Sequence, residues 1–197
     1  MDLLVPKLYT QKGRNIIFDS SQKVLNLGCG SQRYPNVTGI DVVESDGVDI
    51  VHDLNKMPWP IKAGTVNVIL AFHVMEHVDD LPRVMEEIHR VSKPGAHIVI
   101  EVPYFRSILA FQDPTHRRFF TTRSLDYFSH SRPLGFYHYA STDFDIADFW
   151  LGWPTSSWNP LTRFMKMFFH RHQDFYDSHL SRVFPVPILV FELVVKK

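Results

Sequence analysis

Three groups of residues have types and spacings that suit chemistry. The first is Asn26-Leu27-Gly28-Cys29-Gly30, followed by Asp41, 13 residues after Gly28, and by Asp53, 12 residues further on. Two glycines one residue apart let backbone come close to a ligand. A carboxylate at Asp41 can accept two hydrogen bonds from a ribose diol, and one at Asp53 can meet an amino group such as that of adenine. The second group is Glu76-His77 with Asp79-Asp80. These types suit a metal cluster, an acid/base pair, or a braced turn whose aspartates cap the next helix. The braced turn is the reading taken here, with no metal expected and His77 kept as a candidate catalytic residue. The third is Asp113-Pro114-Thr115-His116-Arg117-Arg118, within a stretch over residues 104–133 that sets Arg106, Arg117, Arg118, Arg123 and Arg132 against Asp113 and Asp126. Arginine forks clamp carboxylates and phosphates, and a histidine titrates near neutral pH. Asp113, His116 and Arg117 are therefore candidate contacts for an anionic substrate, with His116 a candidate base. The competing expectation is that Asp113 turns the chain and the arginines are solvated or paired with acids.

These residues need a scaffold, and the first half of the chain reads clearly. Val24 to Leu27, Val37 to Val43, Asp49 to His52 and Val66 to Phe72 are short apolar runs that predict buried strands. Leu81, Val84, Met85, Ile88 and Val91 recur at helical spacing between charged residues, with Asp79 or Asp80 to cap the start and Pro94-Gly95 to stop the helix after Lys93. Ala96 to Val102 then predicts a fifth strand. Strands alternating with a helix imply a parallel sheet covered by helices. Only residues 28–36 separate the first two strands, so the first crossover has no room for a full helix. A patch of sheet is left bare unless the N-terminal segment, the second half or a partner covers it. Beyond Tyr104 the reading is coarser. Thr121 or Thr122 caps a short helix to Phe128, a helical stretch spans Leu161 to Arg171, and Phe144 to Leu151 and Ile188 to Val195 are two more strands. Asp148 and Glu192 place that pair at one end of the sheet, less buried than the first five.

Composition narrows the classes. The chain has 197 residues, 45% hydrophobic and 21% charged, which suits one compact domain and excludes disorder as its main character. Twenty-one basic residues cancel 21 acidic ones, so nothing favours nucleic acid or an anionic membrane as partner. Cys29 stands alone, which excludes an intrachain disulfide and suits a reducing, cytoplasmic setting. The first residues lack a targeting pattern, and no run reaches the roughly 18 apolar residues of a membrane span. Aromatic residues reach 14% and crowd after Tyr104, as core, pocket wall or a surface for self-association.

The blocks KVLNLGCG, TGIDVV, IVHDLNKMPWP and VNVILAFHVMEHVDDLPRVMEEIHRVSKPGAHIVIEVP, covering residues 23–103, resemble class I S-adenosylmethionine-dependent methyltransferases, especially the type 11 methyltransferase domain group. The resemblance implies a Rossmann-like fold with a mainly parallel seven-stranded sheet, residues 23–103 binding cofactor and 104–197 forming the substrate or cap region and the last strands. It implies S-adenosylmethionine as cofactor and a small-molecule methyl acceptor. The implied cofactor set is Asn26, Gly28, Cys29 and Gly30 near the methionine part, Asp41 with Val42 at the ribose, Asp53 with Leu54 at the adenine, and Phe72 with His73 beside the methyl group. Asn26 departs from the acidic residue usual there and brings no charge to the ammonium. Two other readings stay open: a module that binds the cofactor without chemistry, and a nicotinamide oxidoreductase. The second is disfavoured by Arg33 at the third glycine position and by the early Asp41.

Overall fold

A computed structural model describes residues 8–9, 15–16, 21–137, 139–152, 164, 167–169 and 171–197. A short antiparallel pair, β1 (Leu8–Tyr9) and β2 (Asn15–Ile16), precedes the main sheet. The sheet comprises β3 (Val24–Leu27), β4 (Val37–Asp41), β5 (Ile50–Val51), β6 (Val66–Phe72), β7 (Ser92–Pro103), β8 (Asp143–Leu151) and β9 (Ile188–Lys196). Their spatial order is β5-β4-β3-β6-β7-β9-β8, parallel throughout except that β9 runs antiparallel to both its neighbours. The expected seven-stranded, mostly parallel sheet is what the chain forms.

Apolar residues on both faces explain the burial of the central strands. Leu25, Leu27, Ile40, Ile69, Ala71, Ile98 and Ile100 join the main core on one face; Val24, Val68, Leu70 and Val99 join a smaller cluster with Trp150, Ile188 and Val190. No residue of that second cluster is more than 6% exposed, so the sheet is not bare there. Trp150, Ile188 and Val190 come from the second half, one of the expected covers; most of the N-terminal segment, another, lies outside the described residues.

Helix α1 (Leu81–Val91) buries Val84, Met85, Glu87, Ile88 and Val91, and Asp80 caps it by accepting from the Arg83 N–H. It ends two residues earlier than its sequence suggests. Ser92 already pairs with Val66, and the register shift between Val66 and Val68 absorbs Pro94-Gly95 inside β7. A proline has no N–H to give a ladder, so a bulge is where it fits.

No helix lies between β3 and β4, as the short crossover requires. The chain turns straight back: the Gly28 and Cys29 N–H groups both donate to the Ile40 carbonyl. The 44–49 loop folds against this turn so tightly that a Cβ on Gly39 would sit 2.2 Å from the Gly47 oxygen.

The last two strands lie at one end of the sheet, as expected, but β9 is not less buried than the first five. It is interior and nearly all buried, with Glu192 Oε1 2.9 Å from His97 Nδ1, and β8 forms the edge at this end, bulged between Ile146 and Asp148. The Thr121-to-Phe128 helix reduces to turns and a single 3₁₀ turn, Asp126–Phe128. Of the predicted helical stretch from Leu161 to Arg171, Leu161 to Arg163, Met165, Lys166 and His170 lie outside the described residues; Phe164, Met167 to Phe169 and Arg171 are helical. Among the described residues no helix is long and apolar enough to cross a membrane.

Candidate active site

The carboxyl ends of β3, β4, β5 and β6 open onto one cleft of about 360 Å³. Gly28 follows β3, Asp41 ends β4 and Val42 follows it, and His52, Asp53, Leu54 and Asn55 follow β5; His73, Val74, His77 and Val78 follow β6. Open parallel sheets bind ligands at this crest. Gly28 has φ +60° and faces Val74: a Cβ there would lie 2.5 Å from a Val74 methyl carbon. Asp41 is already set as an acceptor, with Oδ2 taking the Gly30 N–H (2.8 Å) and Oδ1 the Val43 N–H (3.0 Å). Asp53 Oδ1 accepts from the Asn55 backbone and side chain, and Asn55 Oδ1 accepts from the Asp79 N–H, which ties the loop after β5 to the start of α1. Val42 is 62% exposed on this wall, an apolar surface for a flat ring.

Of the expected cofactor residues, Gly28, Asp41, Val42, Asp53, Leu54 and His73 line the cleft, and His77 joins them. Asn26, Cys29, Gly30 and Phe72 are not among the residues lining it. Asn26 is buried in β3 at 2% exposure. Cys29 turns inward and donates from Sγ to the Gly47 carbonyl, and burial pushes its thiol pKa up. Phe72 is half-buried against the smaller core cluster. His52, Asn55, Val74 and Val78 were missed; the IVHDLNK block carried the first two, but a lone His or Asn in a loop has no distinguishing pattern.

Behind the cleft lies a histidine cluster. His73 takes φ +52°, unusual for a side-chain-bearing residue, and its N–H donates to the Glu101 carbonyl. Its ring stands between two buried carboxylates, Nε2 3.0 Å from Glu101 Oε1 and Nδ1 3.4 Å from Glu76 Oε1. Glu101 first and Glu76 second push the ring pKa up to about 9, against the effect of burial. A ring that already holds its proton is no general base at neutral pH. Glu101 was not foreseen: only the register Phe72↔Glu101 brings it beside His73.

The Asp113-to-Arg118 segment docks on this cluster. The Arg117 and Arg118 N–H groups donate to the Glu76 carbonyl, and the His77 and His116 rings meet edge to face at 4.7 Å. His77 Nδ1 contacts Thr115 Oγ1 (2.9 Å), and Thr115 Oγ1 contacts Asp113 Oδ1 (2.7 Å). The two candidate histidines, 39 positions apart, thus share one place. An anionic clamp is not what the arginines form. Arg117 pairs with Asp79, Arg118 donates to the Val78 and Asp79 carbonyls, and Asp113 spends its carboxylate on the Thr115 turn. Arg123 pairs with Asp174 and Asp126.

Strand order, the single antiparallel strand and a ligand cleft at the parallel crest define the class I methyltransferase fold. Residues 5–146 match the sequence profile of a family described as a methyltransferase domain, and the chain belongs to that family. No curated protein matches it significantly. Solved structures share the fold at low identity. A methyltransferase from Thermotoga maritima is 14% identical, TM-score 0.55, over 92% of this chain and 84% of its own. One from Mesorhizobium loti is 13% identical, TM-score 0.51, over 88% and 90%. The [4+2]-cyclase SpnF is 15% identical, TM-score 0.54, over 91% and 76%, so the fold alone does not fix a reaction. The family does: the chain is an S-adenosylmethionine-dependent methyltransferase, and the oxidoreductase reading falls.

Proposed function

We propose that the cleft holds S-adenosylmethionine and that a small-molecule acceptor enters beside His73, His77 and His116. One observation carries this: a single cleft gathers the glycine turn, the acids ending β4 and following β5, and the histidines following β6. The residues fit the cofactor, since the turn at Gly28 allows close backbone approach, Asp41 offers a diol acceptor, and Val42 and Leu54 supply apolar wall beside Asp53. When bound, the sulfonium supplies an electrophilic methyl group. The chain's part is to align an acceptor atom behind that methyl and, for an O–H or N–H acceptor, to take its proton. Anionic selectivity has no support in the arginine pairing.

The test separates the two halves of the site. A screen of small alcohols, phenols, amines, acids and sugar phosphates for formation of S-adenosylhomocysteine identifies a working acceptor. His116→Gln is then expected to lower turnover at least tenfold while leaving S-adenosylhomocysteine affinity unchanged, and Asp53→Ala to weaken that affinity. Normal turnover by folded His116→Gln would remove this cluster from the acceptor site.

A further inference from the structure

We propose that Glu76, His77 and His116 form a binding site for a divalent transition-metal ion at the inner end of the cleft. One ligand atom from each residue lies within 4.8 Å of the others. Ligands about 2.1 Å from a shared ion sit roughly 3–3.5 Å apart, so side-chain rotations of about an ångström close the set. Two imidazoles and a carboxylate suit zinc, iron(II) or cobalt(II) rather than magnesium or calcium.

Glu76 is the first reason. It is 1% exposed, yet neither carboxylate oxygen is hydrogen-bonded. Buried carboxylates so short of donors are rare: Oε2 has no partner, and the His73 ring, 3.4 Å from Oε1, is shared with Glu101.

Tautomers give the second. The Asp113 carboxylate only accepts, so Thr115 gives it the hydroxyl proton; Thr115 Oγ1 must then accept from His77, which places the ring proton on Nδ1. His116 Nδ1 lies 3.0 Å from the Ala110 carbonyl, which also only accepts. Both rings are thus held through Nδ1–H, leaving the Nε2 lone pairs to coordinate, and His116 Nε2 is 3.9 Å from Glu76 Oε1. Histidines that bind metal are oriented in this way by a second hydrogen bond. The Arg117 and Arg118 contacts to the Glu76 carbonyl pin the two segments together. His77 also lines the cleft, so the site keeps an open side toward it, where a bound ion could hold an acceptor oxygen. That use, unlike the site itself, rests on the acceptor reading above.

Cobalt(II) is the probe, titrated into the chelator-treated, dialysed full chain without methyl donor and followed by visible absorption. One saturable equivalent is expected. His116→Gln and His77→Gln should each weaken it at least tenfold, and Thr115→Ala, which keeps all three ligands, should weaken it less. Circular dichroism establishes that each variant is folded. The chain has 11 histidines, so uptake alone proves little. Absence of a saturable one-to-one band, or unchanged uptake by a folded His77→Gln/His116→Gln double variant, overturns the site. Either result leaves donor binding at Asp41 untouched.

Discussion

At Gly28, two constraints that a sequence shows only as the letter G act together. Its φ of +60° strains any L side chain, and a Cβ would strike Val74 at 2.5 Å and 2.8 Å. Gly28→Ala should therefore lose about 2–4 kcal/mol of stability, combining backbone strain with overpacking. Adding Val74→Ala removes the methyl carbon at 2.5 Å but keeps the Cβ at 2.8 Å, so it should restore only part of the overpacking loss and none of the backbone part, a coupling that denaturant unfolding of the unaltered chain and the three variants of a double-mutant cycle would measure. Gly30, also at positive φ (+52°), has nothing within 4 Å of its absent Cβ, so a side chain there meets the backbone cost alone and no packing clash.

At the level of elements, buried acids fasten strand to strand and helix to loop. Glu87 on α1 accepts from the Trp59 N–H and from Arg90; burial pushes its carboxyl pKa up, but these donors outweigh burial and hold it below the usual range. Between β7 and β9, Glu192 meets His97, and its hydrogen bond raises the His97 pKa despite the opposing effect of burial. A histidine whose folded pKa is raised stabilises fully below its unfolded value near 6.5, and the contribution is lost as pH rises through the folded value. Thermal unfolding should therefore show a loss of stability on going from about pH 6 to pH 8 that is smaller in Glu192→Gln, while the part owed to His73, whose pKa Glu101 and Glu76 raise to about 9, persists in both proteins. His97 is about half exposed, which keeps the effect small. Equal pH profiles for both proteins would show the pair to be energetically idle. The same pair explains why β9 is more buried than its sequence suggests: a glutamate in an apolar run points to partial exposure, and the hydrogen bond with His97 makes it tolerable inside.

Across the whole molecule, legibility followed the range of the interactions. Strands β3, β4 and β6 and helix α1 were readable because burial on both faces or on one helical stripe leaves a local pattern. The acids Asp41 and Asp53 were readable because strand ends set their spacing. By contrast, the Glu101–His73 pairing depends on the register of two strands, and the Glu76–His77–His116 cluster on a loop docking from 39 residues away, neither of which leaves a periodic trace. The arginines left two readings open for a related reason: charge counted along a segment does not show that Asp79 and Asp174 are waiting across space, and pairing with acids is what Arg117 and Arg123 do.

The function proposed for this site depends on Asp41 and its cleft holding the methyl donor. Titration calorimetry with S-adenosylhomocysteine tests it directly. The unaltered chain should bind one equivalent. Asp41→Ala, confirmed as folded, should bind at least tenfold more weakly, since each charge-assisted hydrogen bond to a hydroxyl contributes about 1.5–3 kcal/mol. No binding by the unaltered chain, or equal affinity in the folded variant, would contradict the assignment of this cleft.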